Sequence, residues 1–343
     1  MPRAGTILGG QRMRIQRRAF ALALGAAPVL AAAARAQPRP SAPKGWPAQT
    51  IRLVVPFAPG GSTDVAARIL SERMGETLGQ PVVVENRGGS GGLIGADAVA
   101  KAPPDGYALL MATTGLLSIA PHLYPQMPFD PVRDLAPVSL AFATDLVVSV
   151  TAGLPVASLQ DFVRTAKERP GAISYASSGA GTTTHAATEL FRLAAGIELL
   201  HVPYRGSGQA MNDLVAGNVQ LMVDQIASAI GQIRDGRIRA LAVTGAKRHP
   251  LLPEVPTVGE AGFPRAQATS WGGIVAPART PAPVIARINA AVRDAVAQPA
   301  LRQRMAAAGA DPAASGPEEF AGFVRAESEK WGRVVREAHI TIG

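Results

Sequence analysis

The sequence predicts an α/β fold of two doubly wound domains around a cleft, and three observations lead there. Short apolar runs alternate with amphipathic helical stretches along most of the chain, the pattern of βαβ units in mainly parallel sheets flanked by helices. The 343 residues, less an N-terminal leader, have the length of about two ordinary domains. Glycine-rich turns fall where strands pass into helices, and in such sheets ligands sit beyond the carboxyl ends of the strands.

The leader comes first. Arg12, Arg14, Arg17 and Arg18 precede an apolar stretch from Ala19 to Ala34, and Ala34-Arg35-Ala36 gives a small-x-small cleavage site. This is the pattern of a bacterial export signal over 1–36, too short and alanine-rich for a membrane anchor. Arg17-Arg18-Ala19-Phe20-Ala21-Leu22 resembles a twin-arginine signal with Gln16 in place of Ser or Thr, so the Sec and twin-arginine routes both stay open. The charge argument changes once the leader is removed. It holds Arg3, Arg12, Arg14, Arg17, Arg18 and Arg35 and no acid, so the chain's net charge of +9 drops to +3. A balance that close to neutral gives no support to nucleic-acid binding. The chain has no cysteine, which excludes disulfides, thiolate metal sites and cysteine nucleophiles.

A proline-rich segment, 37–47, leads into the first strand at 51–55, a helix at 62–78, a strand at 82–85, a helix at 93–102 and a strand at 108–112. Further strands are expected at 138–143 and 146–150, then a helix at 158–169 closed by Pro170-Gly171. Strands at 173–176, 199–202, 219–223 and 238–243 alternate with helices at 185–195, 208–216 and 227–235. A proline-rich crossing from His249 to Pro264 reaches a strand at 271–275, and the end is helical at 283–297, 300–308 and 317–338.

Two turns carry the candidate chemistry. In Pro56-Phe57-Ala58-Pro59-Gly60-Gly61-Ser62-Thr63-Asp64, prolines fix φ and Gly60-Gly61 permits positive φ, so N–H groups can converge. Ser62 or Thr63 is placed to cap the helix, whose first N–H groups lack partners and carry the positive end of the dipole. Such a turn can seat a carboxylate or phosphate, and an ordinary strand-to-helix turn uses the same residues. The second turn, Ser177-Ser178-Gly179-Ala180-Gly181-Thr182-Thr183-Thr184, repeats the arrangement ahead of a helix starting near His185. One turn on each domain, facing across a cleft, would hold an anion through neutral donors.

The remaining candidates each have a bland counterpart. Asp224, after the strand at 219–223, can face a ligand or cap the next helix, and Thr113 and Thr114 pose the same choice. Phe57, Tyr204 and Trp271 lie at strand ends, where a ring walls a pocket or fills a core. Gly88-Gly89-Ser90-Gly91-Gly92 matches the G-x-S-x-G nucleophile elbow, but His122, His185, His201, His249 and His339 stand in no partner motif. His185 at a helix start can touch a ligand, while His201 in an apolar strand reads as structural. No metal-ligand spacing, P-loop or dinucleotide fingerprint occurs, so neither a metal nor a cofactor is expected.

Together these blocks resemble the substrate-binding proteins of tripartite tricarboxylate transporters, the Bug family of periplasmic receptors. The resemblance runs from about Trp46 to the C-terminus. Beyond the two turns it rests on Val84-Glu85-Asn86-Arg87, Gly91-Gly92 with Ala98 to Lys101, and Pro104-Asp105-Gly106-Tyr107. It continues through His185, Val202-Pro203-Tyr204-Arg205-Gly206, Leu252-Pro253-Glu254-Val255-Pro256-Thr257 with Glu260, and Trp271-Gly272-Gly273.

What the resemblance implies is a two-domain periplasmic-binding-protein (Venus flytrap) fold with a hinge. Domain one is discontinuous (37–145 and 268–343) and domain two is inserted (146–267). It further implies a small carboxylate held by Pro59, Gly60, Ser62, Thr63 and Asp64 in the first turn and by Ser178, Gly179, Gly181, Thr182 and Thr183 in the second, with Asp224 near the hinge. Phe57, Thr113 and Thr114 complete the expected ligand-binding set. The expected role is a monomeric, non-enzymatic receptor in the periplasm that hands its ligand to the large and small permease subunits. A receptor used for signalling, and a serine hydrolase built on Ser90, are the alternatives.

Overall fold

The structure, a computed structural model, describes residues 45–337 and 339–341; the leader and most of the proline-rich segment after it lie outside them. Ten strands and nine α-helices follow one another in the described residues. The strands are β1 (Ile51–Val55), β2 (Val82–Asn86), β3 (Ala108–Thr113), β4 (Leu135–Thr151), β5 (Ser174–Ser177), β6 (Leu200–Pro203), β7 (Leu221–Gln225), β8 (Ile238–Val243), β9 (Thr269–Pro277) and β10 (Asp311–Pro312). The helices are α1 (Ser62–Leu78), α2 (Leu93–Ala100), α3 (Leu159–Glu168), α4 (Thr183–Ala195), α5 (Ser207–Ala216), α6 (Ile226–Arg234), α7 (Ala282–Ala297), α8 (Pro299–Ala307) and α9 (Pro317–Glu337).

The sheet runs β2-β1-β3-β9-β4-β7-β5-β6, with β8 and β10 also on β4. Its two flanks are parallel, as βαβ units require: β1 with β2 and β3, and β5 with β6 and β7. The middle departs from the expected mainly parallel order, because β9 runs antiparallel to β3 and β4, and β4 antiparallel to β7 and β8. The cause is topological. β4 carries the chain out of the first half and β9 brings it back, so the two crossing strands must run in opposite directions.

β4 is one strand of 17 residues where the sequence suggests two. The polar pair Thr144-Asp145 reads as a break, yet both residues stay in register with Ser270 and Thr269 of β9. The Thr144 hydroxyl donates to Gly309 O at 2.7 Å, which removes the cost of burying it. β4 pairs with β9 up to Asp145 and with β7 and β8 from Leu146.

Each half is covered on both faces. In the first, α1, α7 and α8 pack on one face around Leu53, Leu70, Met74 and Ile288, and α2 and the start of α9 on the other around Leu110, Trp271 and Phe320. In the second, α3 and α4 cover one face around Phe162, Tyr175 and Phe191, and α5 and α6 the other around Met211, Met222 and Ile226. α9 belongs to both: Phe320 packs edge-on to Trp271 at 5.7 Å, while Trp331 and Val335 join the second half's core. Gly273 on β9 shows how tight the packing is, since a Cβ there would lie 2.2 Å from the Phe320 ring.

Candidate functional site

The turn after β1 and the turn after β5 come together. Phe57, Ala58, Gly61, Ser62, Thr63, Asp64 and Thr113 face Ser178, Thr182, Thr183, Ser207 and Gln225 across a narrow cavity. No lysine or arginine is among these residues.

In the first turn the cap differs from expectation. Gly61, in extended conformation, holds the N-cap position of α1 without a side-chain hydrogen bond, so Ser62 and Thr63 fall inside the first helical turn. Both are buried, and neither hydroxyl makes a hydrogen bond among the described residues, which leaves both free toward the cavity. Thr113 and Thr183 are in the same state. The Ser62 N–H donates to Ser228 Oγ at 3.1 Å, a contact between α1 and α6. Pro59 and Gly60 do not line the cavity; they shape the turn, with the Gly60 N–H donating to Asp64 Oδ2 at 3.1 Å.

Asp64 does line the cavity, but its carboxylate is engaged. Arg68 Nε donates at 3.1 Å and Asn86 Nδ2 at 2.9 Å. Burial opposes its charge, and the hydrogen bonds from Arg68, Asn86 and Gly60 outweigh burial and hold the carboxyl below the usual range. Asp64 therefore acts as a brace for the turn.

In the second turn Thr182 caps α4, accepting from the His185 N–H at 3.5 Å while donating to Gly179 O at 2.7 Å. Gly179 and Gly181 are buried away from the cavity, against Gly91 and the Tyr124 ring respectively. Under the turn the rings of His185 and His201 stack at 4.1 Å, with Tyr175 4.8 Å beyond His201. His185 Nδ1 accepts from the Gly181 N–H at 3.2 Å, and His201 Nε2 lies 2.7 Å from Ser177 Oγ, which accepts from the Gly179 N–H. Burial pushes both imidazoles down to about 4, and for His201 the neighbouring His185 adds to this while Glu189 opposes it. Both rings are neutral near pH 7 and hold the turn in shape, His185 as an acceptor.

Two expected residues stand behind the wall. Thr114 Oγ1 accepts from the Trp271 N–H at 2.9 Å and is fully buried. Asp224 is 1% exposed; its Oδ1 accepts from Ser207 Oγ at 2.9 Å and the Gln225 N–H at 2.8 Å. Burial pushes its carboxyl up to about 6 against the lowering effect of Gln225, Ser207 and the nearby Ser228. Oδ2 has no hydrogen bond of normal geometry. Ser207 and Gln225 are wall residues that the sequence did not single out. A signal existed: Arg205-Gly206-Ser207-Gly208 follows β6 as the two other turns follow β1 and β5.

Ser90 is exposed, has φ +48°, and bonds to no histidine among the described residues, so the elbow motif has no base beside it. The glycines of the motif serve packing. A Cβ on Gly91 would lie 2.5 Å from Ala180 O, so only glycine lets this loop meet the second turn. Among the described residues no cluster of metal-ligating side chains occurs, and no helix is long and apolar enough to cross a membrane.

Comparison with known proteins agrees with this geometry. The family described as "Tripartite tricarboxylate transporter family receptor" matches residues 66–340. A protein in the tcbD-tcbE intergenic region of Pseudomonas sp. (strain P51) is 44% identical over 293 residues, 85% of this chain and 87% of its own. Protein BugT of Bordetella pertussis is 39% identical over 293 residues, 85% and 90% of the two chains. Among solved structures, the periplasmic binding protein BugD superposes with TM-score 0.83 at 36% identity over 86% of this chain and 99% of its own. Rpa4515 of R. palustris with adipate gives 0.84 at 37% identity over 86% and 99%. MatC from Rhodopseudomonas palustris with bound malate gives 0.81 at 35% over 84% and 100%. With its two-lobed α/β fold and its pair of facing βα turns, the chain belongs to the tripartite tricarboxylate transporter receptor family, the Bug group of periplasmic solute-binding proteins.

Proposed function

We propose that this receptor captures a small carboxylate between its two lobes and delivers it to a tripartite tricarboxylate-type membrane permease. One observation carries the reading. Four hydroxyls free of partners in the described residues, those of Ser62, Thr63, Thr113 and Thr183, line one cavity between the starts of α1 and α4. Neutral donors hold an anion without burying an arginine, and the ligand leaves readily, as delivery demands. The adipate and malate held by two neighbours support the ligand class.

In this reading Phe57, Ser62, Thr63, Asp64, Thr113, Ser178, Thr182 and Thr183 form the wall. Pro59, Gly60, Gly179 and Gly181 shape the turns, and Thr114 and Asp224 hold the wall from behind. The lobes are taken as 37–145 with 268–343 and 146–267, a division supported by the change of partners in β4 at Asp145–Leu146. The second half of α9 is an exception, packing with the inserted lobe. Closure of the lobes on the ligand gives the form that the permease subunits recognise. The receptor acts in the periplasm after loss of the leader, as a monomer and without catalysis.

Mass spectrometry of the natively purified protein, followed by thermal shift with the acids it releases, tests the reading. Ligand at about 100 times its Kd adds about 2.7 kcal/mol to stability. Release of no carboxylate, together with no shift from any acid tried, would refute it.

A further inference from the structure

The cavity is not equally rich in donors all round. Ser207 has one hydroxyl proton, and it is committed to Asp224 Oδ1 at 2.9 Å. Toward the cavity Ser207 therefore presents lone pairs only. The second turn has the same property. Thr182 gives its proton to Gly179 O at 2.7 Å, so across the 3.0 Å contact with Thr184 it must accept. Thr184, having donated to Thr182, accepts in turn from Ser178 Oγ at 2.9 Å. Three hydroxyls thus point in one direction. Thr184 and the His185 N–H take both lone pairs of Thr182, so in this turn it is Ser178 that offers oxygen lone pairs to the space it lines.

Charge acts in the same sense. Asp64 is met by Arg68, but no basic side chain pairs with Asp224 among the described residues, and one oxygen of Asp224 has no partner. An ionised carboxylate directly behind Ser207 strengthens the serine as an acceptor and repels a second anion that approaches it. A plain diacid would set its second carboxylate against lone pairs and a buried negative charge. An ammonium or hydroxyl would find the acceptors it needs.

We propose, building on the carboxylate reading above, that the ligand carries a hydrogen-bond-donating group, ammonium or hydroxyl, that docks on Ser207 while its carboxylate meets the free hydroxyls of Ser62, Thr63, Thr113 and Thr183. The receptor then takes an amino acid or hydroxy acid in preference to the unsubstituted acid of the same skeleton. Ser207 is the residue that sets this preference, and Asp224 is the positioning residue that fixes its proton.

Two matched series separate the donor from the rest of the ligand: propionate, lactate and alanine, and succinate, malate and aspartate. Calorimetric titration of the full mature chain at pH 7.5, with mass spectrometry of whatever co-purifies, reads the outcome. Within at least one series the hydroxy or amino acid binds about tenfold more tightly than its parent, and the released native ligand bears such a group. Ser207→Ala brings that ratio down toward one. Asp224→Asn, which keeps an oxygen for Ser207 but removes the charge, lowers the amino-acid arm more than the hydroxy-acid arm and so tells ammonium from hydroxyl. Thermal melts of both variants show that they are folded.

Parent acids that bind as tightly as their substituted partners, or a released ligand with carboxylates and no donor, would overturn this inference and leave the carboxylate reading standing. An unchanged ratio in folded Ser207→Ala would overturn the role of Ser207. If none of the six acids binds and the released ligand is no carboxylate, both readings fall together.

Discussion

The Tyr124 hydroxyl donates to the backbone carbonyl of Ala180 at 3.0 Å, tying the segment after β3 to the tip of the second binding turn. The same ring packs against Gly181, where a Cβ would come within 2.8 Å of it. The bond bridges positions 56 residues apart. Burial raises the phenol's pKa, so it remains a donor at any physiological pH. Tyr124→Phe should weaken ligand binding about fivefold, the effect of one hydrogen bond worth about 1 kcal/mol. The loss should appear in the dissociation rate by stopped-flow fluorescence. An unaltered rate would show that Tyr124 takes no part in closure.

Gly91 of the glycine loop packs directly against the second turn. An alanine there meets Ala180 O at 2.5 Å and must also adopt φ +64°, which costs an L-residue about 1–2 kcal/mol. Gly91→Ala is expected to lower affinity by roughly tenfold or more. Small-angle scattering should show the variant more expanded than the parent protein at saturating ligand. Equal radii of gyration for the two would remove Gly91 from the closing surface.

Ser62 and Thr182 look alike in the sequence, each a hydroxyl beside a glycine at a helix start, but they should respond differently to alanine. Ser62 is not a cap and its hydroxyl is free, so Ser62→Ala should cost about 1 kcal/mol of binding and leave the melting temperature unchanged. Thr182 caps α4 and closes a hydroxyl chain, so Thr182→Ala should also cost about 1 kcal/mol of fold stability, near 2 °C in a protein of this size. Calorimetry for binding and for melting distinguishes the two. Equal melting shifts would contradict the capping difference.

The stacked histidines give a pH dependence with a definite sign. In the folded chain His185 and His201 stay neutral down to about pH 4, whereas an unfolded histidine takes its proton near pH 6.5. Their contribution is fully present above pH 6.5. It is lost as pH falls toward 4, because over that window the unfolded chain binds more protons, by up to about 1.4 kcal/mol per pH unit for one site. Asp224 acts oppositely: its carboxyl is raised by burial to about 6, so its contribution is present below the usual carboxylate pKa and lost as pH rises through 6. His185→Asn, whose amide oxygen can accept from the Gly181 N–H, should flatten the rise of melting temperature between pH 4 and 6.5, and Asp224→Asn should steepen it. A variant His185→Asn with an unreduced slope would count against the stacked pair as its source.

Much of this site is legible in the order of residues alone. The spacing of apolar residues gives α1 its full extent, and the glycines between β1 and α1 and between β5 and α4 mark both binding turns. Their residue types explain why: glycine and proline restrict or free φ locally, and a serine or threonine beside a helix start has only nearby partners. Less legible is which hydroxyl stays free. Ser62 and Thr182 differ only because Gly61 takes the cap in one turn and Thr182 takes it in the other, and that depends on how each segment enters its helix.

By itself the sequence determined the α/β alternation, the two turns and the family to which they belong, since each is written in neighbouring residues. Tertiary structure alone decided the rest, because it depends on contacts between distant segments. Folding joined two expected strands into β4 when Gly309 took up the Thr144 hydroxyl. It set Asp224 behind Ser207, and it packed Ser90's glycine loop against Ala180. Residue types show which groups can donate or accept a hydrogen bond, whereas only the assembled fold shows which of those protons are already spent.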